Sequence, residues 1–334
     1  MPVTTGVPQG SVLGPLLFII YMNDIHFVTT KFHAILFADD TNLLSSLCSF
    51  NVEIDKHNFN KELLSKNVND ELERTIEWLE INKLSLNIGK TKFMLFHHRQ
   101  KNISNFIPDI TVQSHVIKRV TEFNFLGLTI DENLNWNAHI NKIASKISRS
   151  LGVMTRLKKF LPLNVLWNLY NSLILSHLQF SILAWGHKHQ RLAILQKRAI
   201  RILTLSKYNA HTEPLFKHLN QLKLADIYTL NLLKFYYKHE NASLPEYFVN
   251  MFQLKNHAYD TRGNHTQFCI ERTKTTGAKN VLRYIIPKTL DNISSSVTDK
   301  VKTHSLQGFI KYTKVYLIDQ YKAECNKEQC YICQ

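Results

Sequence analysis

Long apolar runs are missing from this 334-residue sequence. The most apolar stretch, Val12 to Met22, is too short to span a bilayer and carries Gly14 and Pro15, so no membrane partner is expected. The N-terminus lacks a basic region followed by an apolar stretch and a cleavage site, so no secretory signal is expected either. Cysteine is scarce: five residues, three of them at the very end, which does not make a disulfide framework. These absences read as an intracellular chain, nuclear or cytoplasmic and not secreted. Acid is also short, with 26 Asp+Glu against 41 Lys+Arg, a net charge of +15 and a pI near 9.5. A surplus of that size favours a polyanionic partner, nucleic acid or an anionic membrane surface. No internal repeat or low-complexity segment stands out. The length is that of roughly two domains, and 44% hydrophobic with 20% charged residues is the composition of an ordinary globular protein.

The few acids make one pair conspicuous. Asp24 is the only acid before Asp39, which is followed at once by Asp40. Ala34, Ile35, Leu36 and Phe37 lead into the pair, and Leu43 and Leu44 lead out. Two short apolar runs around a polar centre predict a β-hairpin, with Asp39, Asp40, Thr41 and Asn42 supplying the turn. Adjacent carboxylates repel, and at a buried hairpin end they would need a cation against them. Hard oxygen ligands of this kind suit Mg²⁺. A solvated turn is the other reading of the same four residues. Upstream, Gly6, Pro8, Gly10, Gly14 and Pro15 predict a shaped loop. A helix follows over Leu16 to Ile25, with Leu16, Leu17, Ile20 and Tyr21 on its buried side.

Three segments, Gly6-Val-Pro-Gln-Gly-Ser-Val-Leu-Gly-Pro-Leu-Leu-Phe18, Tyr21-Met-Asn-Asp-Ile25 and Phe37-Ala-Asp-Asp40, together resemble the palm of a reverse transcriptase. The wording is closest to the non-LTR, LINE-type, Jockey-like retrotransposon polymerases. The resemblance implies an α+β fold: a partial palm of β-hairpins packed on helices, then a mostly α-helical thumb and tail. It implies that Asp39 and Asp40 hold catalytic Mg²⁺ or Mn²⁺. Pro8, Gln9, Gly10 and Ser11, with Phe37 and Ala38, would lie beside the incoming nucleotide and template. The partners it implies are an RNA template, a DNA primer and deoxynucleoside triphosphates; no protein partner is predictable.

Leu64, Val68, Leu72, Ile76 and Leu79 recur at helical spacing within a polar stretch between Val52 and Asn87, one face of a long helix. A Gly89–Thr91 turn and a strand over Lys92 to Phe96 follow. In the family such a helix–turn–strand places a lysine near the nucleotide, and Lys90 and Lys92 are the candidates, Lys90 first, as acid toward a leaving pyrophosphate. Each could equally be a solvated lysine. Residues 110–130 alternate well enough for two or three strands. Phe125, Leu126 and Gly127 resemble the hairpin that grips the primer end, where a glycine lets backbone approach a sugar–phosphate.

From Trp136 the pattern turns helical. Ile140, Ile143, Ala144, Ile147, Leu151, Met154 and Leu157 form one face, and Lys142, Lys146, Arg149, Arg156, Lys158 and Lys159 ride on the same helix. Further helices are predicted over Leu163 to Trp185 and Leu192 to Leu205. The resemblance makes this the thumb, where basic side chains contact nucleic-acid backbone; a bundle with solvated lysines is the alternative. The resulting division is 1–100 partial palm, 101–135 primer-grip-like strands, 136–245 thumb-like helices and 246–334 tail. Asp260 to Gly263 and a helix over Phe309 to Tyr321 look like the tail of Jockey-like proteins, although Ile285 to Leu290 departs from its usual wording. Cys325, Cys330 and Cys333 have metal-ligand spacing, but a zinc site wants four ligands and His304 is distant.

The family's palm carries a further Asp on an earlier strand, and only five residues precede Gly6 here. The sequence in hand therefore reads as the C-terminal part of a reverse transcriptase, with little or no polymerase activity expected of it alone. The alternatives are a non-catalytic nucleic-acid-binding protein of retrotransposon origin and a group II intron maturase-like protein. Against the latter stand the wording around Trp78, Asn82, Asn87 and Lys90, and the tail.

Overall fold

Two long amphipathic helices organise the computed structural model, one in each of its two compact units. Residues 6–8, 10–50, 60–101, 103, 106–252, 268–270, 272–273 and 275–322 are described. Gln9, the Asp260–Gly263 segment, Cys325, Cys330 and Cys333 lie outside the described residues. One unit comprises residues 1–123 and 131–133, the other residues 124–130 and 134–334. No helix among the described residues is long and apolar enough to cross a membrane.

In the first unit, α1 (Leu13–Met22) and α2 (Ile25–Val28) precede β1 (His33–Phe37) and β2 (Asp40–Leu44). The long helix α3 (Lys61–Ile81) follows. Asn60 caps α3 by accepting the Leu63 N–H at 2.9 Å, and Glu62 complements the positive helix end. Its inward face buries Leu64, Val68 and Ile76 against Phe50, Ile110, Val112 and Ile117. Leu72 and Leu79 are half-buried. Short strands complete the unit: β3 (Lys92–Phe93), β4 (Thr111–Val112), β5 (His115–Val116) and β6 (Lys118–Arg119). β4 pairs antiparallel with β5, and β3 pairs parallel with β6. β3 thus stops well short of the strand expected to Phe96. A last hairpin, β7 (Glu122–Phe125) and β8 (Leu128–Asp131), leads out of the region.

The expected facing of α1 is wrong. Leu16, Leu17, Ile20 and Tyr21 are all exposed, Ile20 by 63%, while Met22 and Ile25 are buried. The helix is apolar nearly all round, so its periodicity carries no information about which side faces inward.

In the second unit α4 (Asn137–Leu157) buries Ile140, Ile143, Ala144, Ile147, Leu151 and Met154, the face the spacing predicts. It ends at Leu157, so Lys158 and Lys159 follow the helix rather than ride on it. The single helix expected over Leu163 to Trp185 is broken. α5 (Leu163–Tyr170) passes through a π-helical turn, Asn171–Leu175, into α6 (Ser176–Gln179). Phe180 then leaves the helical region and Ser181 takes φ 48° before α7 (Ile182–Trp185). The Trp185 indole N–H donates to the Phe180 carbonyl at 3.0 Å, giving the broken end a partner.

The remaining helices are α8 (Gln190–Leu203), α9 (Thr212–His218), α10 (Leu224–Glu240), α11 (Thr276–Lys279), α12 (Leu282–Asp291), α13 (Ser295–Thr298), α14 (Lys300–Thr303) and α15 (Leu306–Asp319). Ile286, Val297, Val301, Phe309, Leu317 and Tyr321 belong to the same core as α4 and α10. The Tyr321 hydroxyl donates to the Asp226 carboxylate on α10, and Lys217 donates to the Tyr321 carbonyl at 2.9 Å. Burial pushes the Asp226 carboxyl up, against the opposing pulls of the Tyr321 hydrogen bond and the Lys223 charge. The folded chain therefore holds that proton more tightly than the unfolded chain. Stability contributed at low pH is lost as pH rises from the unfolded value, about 3.9, through the raised folded one. Asp226→Asn keeps an acceptor for Tyr321 and removes the titration. Urea unfolding at pH 4 and pH 7 is expected to show the variant gaining on wild type at the higher pH; a constant difference would refute this assignment.

Candidate active site

The acidic pair sits where β1 turns into β2. The strands pair antiparallel from His33 with Leu44 to Phe37 with Asp40, which leaves Ala38 and Asp39 as a two-residue turn. The turn is therefore earlier than the Asp39–Asn42 stretch predicted: Asp40, Thr41 and Asn42 belong to β2 and pair with β1. Ala38 holds φ 49°, a backbone region costly for a residue with a Cβ. Phe37, Ala38, Asp39 and Asp40 are all exposed. The hairpin end is thus not buried, and no desolvation cost there demands a cation. Neither carboxylate has a basic partner within ion-pair distance among the described residues. No third His, Cys, Asp or Glu among those residues joins them in a metal-sized group. Two unpaired neighbouring carboxylates still fit a hard cation of the kind that takes one or two protein oxygens and fills its shell from water and phosphates.

The strand that leads to this turn is anchored by a residue the sequence pattern did not reveal. Glu71 of α3 is 2% exposed and accepts both the Thr30 N–H and the Thr30 hydroxyl at 3.1 Å. Arg74 approaches the same carboxylate at 3.2 Å. Thr30 lies just ahead of β1, so Glu71 is a positioning residue for the hairpin. Its position beside the apolar face of α3 was the available signal.

In the loop before α1, Gly6 and Gly10 have φ of 79° and 86°, with open space where a Cβ would stand. The Ser11 N–H donates to the Pro8 carbonyl at 3.1 Å, and the Ser11 hydroxyl accepts the Gly14 N–H at 3.1 Å. Ser11 therefore shapes the entry to α1. No hydrogen bond among the described residues joins this loop to the hairpin. Lys90 is exposed on the turn after α3, its N–H held by Asn87, and Lys92 is exposed in β3.

In the second unit, Leu126 and Gly127 turn the hairpin with φ of 45° and 88°, the left-handed pair a two-residue turn needs. The close approach that Gly127 permits is taken by Phe180, whose ring lies 3.3 Å from where a Cβ would be. Lys142, Lys146, Arg149, Arg156 and Lys159 are exposed and Lys158 is half-buried. None has a carboxylate partner within ion-pair distance among the described residues. Gly127, Lys142 and Lys146 line one cavity together with His139, His177 and Phe180.

Residues 1–130, which contain the loop, the acidic hairpin, Lys90 and Gly127, match the family described as reverse transcriptase (RNA-dependent DNA polymerase). This segment belongs to the reverse transcriptase family. Such enzymes are nucleotidyltransferases. The chain is 24% identical over 241 residues to the RNA-directed DNA polymerase from mobile element jockey of Drosophila melanogaster, covering 67% of this chain and 24% of that protein. It is 24% identical over 229 residues to the probable RNA-directed DNA polymerase from transposon BS of the same fly, covering 64% and 24%. A Pol polyprotein from a type-1 retrotransposable element R1 of Nasonia vitripennis is 26% identical over 156 residues, 45% of this chain and 35% of its own. The likeness to the jockey polymerase, at 241 residues, is longer than the 130-residue reverse-transcriptase segment. The chain spans about a quarter of the length of the jockey and BS relatives. No solved structure matches it.

Proposed function

We propose that this chain carries the C-terminal part of a Jockey-like non-LTR RNA-directed DNA polymerase and contributes to nucleotidyl transfer onto a primer 3′-hydroxyl. What carries the reading is the two-residue hairpin presenting Asp39 and Asp40, inside a segment of that family. Asp39 and Asp40 would hold Mg²⁺ or Mn²⁺. When bound, such ions supply activation of the primer hydroxyl and charge neutralisation for the leaving pyrophosphate. The chain's own residues orient the reactants: Pro8, Gln9, Gly10 and Ser11, with Phe37 and Ala38, toward template and incoming deoxynucleotide. Lys90 offers an ammonium to the leaving pyrophosphate, and Phe125, Leu126 and Gly127 lie toward the primer. Two carboxylates are fewer than a two-metal site needs, so the chain alone is expected to have little or no activity. The exposed apolar face of α1, with Leu13, Leu16, Ile19 and Ile20 uncovered, supports the same view, since a patch of that kind marks a surface others cover.

Primer extension on an RNA template with Mg²⁺ and deoxynucleotides, beside an Asp39→Asn/Asp40→Asn double variant, tests it. The expected result is no incorporation by either folded protein. Incorporation lost in the variant would establish the acidic pair and overturn the inactivity. Incorporation that the variant retains would overturn the pair's role.

A second reading, a nucleic-acid-binding protein without catalysis, is favoured by the unpaired basic side chains of α4. It predicts duplex binding that survives loss of both Asp39 and Asp40.

A further inference from the structure

We propose that Leu244-Pro245-Glu246-Tyr247, the segment just after α10, is a docking motif for a WW-type domain of a partner protein. Such a domain holds a proline in an aromatic-lined groove and a tyrosine, two residues on, in an adjoining pocket. Of the eight prolines in the chain, only Pro245 is followed two residues on by tyrosine. Pro245 has φ −54° and ψ 152°, close to the polyproline II backbone that these grooves recognise. The residue before a proline is itself driven to extended backbone, so Leu244 and Pro245 form a short extended arm. The chain then enters a 3-10 turn, Glu246–Phe248, which carries the tyrosine.

The fold uses the residues on either side of this pair and leaves the pair itself to solvent. Downstream, the Phe248 ring packs on Phe235 of α10, with centroids 5.4 Å apart, and the Val249 carbonyl lies 3.1 Å from His239 Nε2. Upstream, the Asn241 side-chain amide donates to the Tyr237 carbonyl at 2.8 Å. The Ser243 N–H donates to the Lys238 carbonyl, also at 2.8 Å. Between these ties Pro245 is exposed, and Tyr247 is 85% exposed. Among the described residues the one ring contact of Tyr247 is with the adjacent Phe248.

An exposed tyrosine contributes little to the core but offers a partner a large, stiff surface with a polar tip. Because the segment is fastened at both ends, its arm and turn are held before any partner arrives, which lowers the ordering cost of association. Tyr208 provides the contrast. It is 89% exposed, yet Ser206 and Lys207 precede it and no extended proline accompanies it. A groove that reads proline alone has no use for Tyr247. The pairing of the two side chains therefore selects a WW-type domain over an SH3-type domain. The proposal stands apart from the polymerase reading and does not depend on it.

The test titrates the full chain into a fluorescein-labelled recombinant WW domain that binds Pro-Pro-x-Tyr peptides, read by anisotropy at physiological and at raised salt. Saturable binding is expected, displaced by an unlabelled Pro-Pro-x-Tyr peptide. It should persist at raised salt, which separates it from general attraction to a chain of charge +15. Tyr247→Ala is expected to weaken binding about tenfold and Pro245→Ala about fivefold. Tyr208→Ala, which removes a similarly exposed ring, is expected to leave it unchanged. All three side chains are exposed, so none of these variants opens the core. No saturable binding would overturn the proposal. Binding that all three variants share, or that raised salt abolishes, would overturn it too, since the basic surface would then be its source. Preference for an SH3 domain, unaffected by Tyr247→Ala, would overturn the tyrosine's part and with it the WW-type occupant. None of these outcomes bears on primer extension.

Discussion

Glu71→Leu is expected to destabilise the first unit by about 3 kcal/mol. The carboxylate is 2% exposed and holds the Thr30 N–H and hydroxyl at 3.1 Å. Leucine fits the apolar surroundings but accepts no hydrogen bond, and a hydrogen bond to a charged acceptor is worth about 1.5–3 kcal/mol. The hydroxyl can rotate elsewhere, and Arg74, with its side chain 57% exposed, returns to water at little cost. Most of the loss therefore belongs to Thr30. Glu71→Gln retains one acceptor and is expected to lose about a third as much. Urea unfolding gives the size, and hydrogen exchange over residues 29–45 gives the place. Faster exchange in β1 and β2, beyond that in α3, is expected, because Thr30 is the link between Glu71 and the hairpin bearing Asp39 and Asp40. Unchanged hairpin exchange would remove Glu71 from the support of the site.

Gly186→Ala is expected to destabilise the second unit by about 3 kcal/mol, the upper range for overpacking. A Cβ there would stand 2.3 Å from Cδ2 of Tyr228 and 2.8 Å from Cε2, inside any real contact. The backbone supplies no reason for glycine, since φ −59° and ψ −23° suit every residue. The whole cost is steric. Tyr228 is buried on α10, in an interior where a displaced ring meets packed neighbours. The clash is removed when the ring is removed, so Gly186→Ala is expected to cost far less in a Tyr228→Ala background. A double-mutant cycle by urea unfolding reads that coupling. Additive losses would show that something other than the ring excludes a side chain at 186.

These two residues mark where sequence reasoning stops. Glu71 lies in a polar stretch beside Leu72 of the apolar face, a position that allows an inward turn but does not name the partner it would meet. Gly186 follows Trp185 in an ordinary helical conformation, and its constraint comes from a tyrosine far away in the chain. The alternation through residues 110–130 is similarly incomplete. Gln113 and Ser114 both take positive φ and re-phase the strands, so Val116 is 78% exposed while Ile117 is buried. A turn that shifts the register by one residue sends each side chain to the opposite face.

By itself the sequence identified the family that residues 1–130 match, through linear motifs whose residues lie within one short segment. It also determined the inward faces of α3 and α4, because polar and apolar residues contrast at helical spacing there. The existence of the hairpin followed from local pattern as well. Only the tertiary structure decided the rest. The turn falls on Ala38 and Asp39 because β1 and β2 pair from His33–Leu44 to Phe37–Asp40. The helix after Pro162 breaks at Phe180 where no proline or glycine marks it, and α1 leaves its apolar residues exposed. The basic cavity joins Gly127, α4 and α6, segments whose meeting no local pattern encodes. Periodicity and motifs report on neighbours along the chain; a facing, a break or a cavity is set by what the chain meets when it folds.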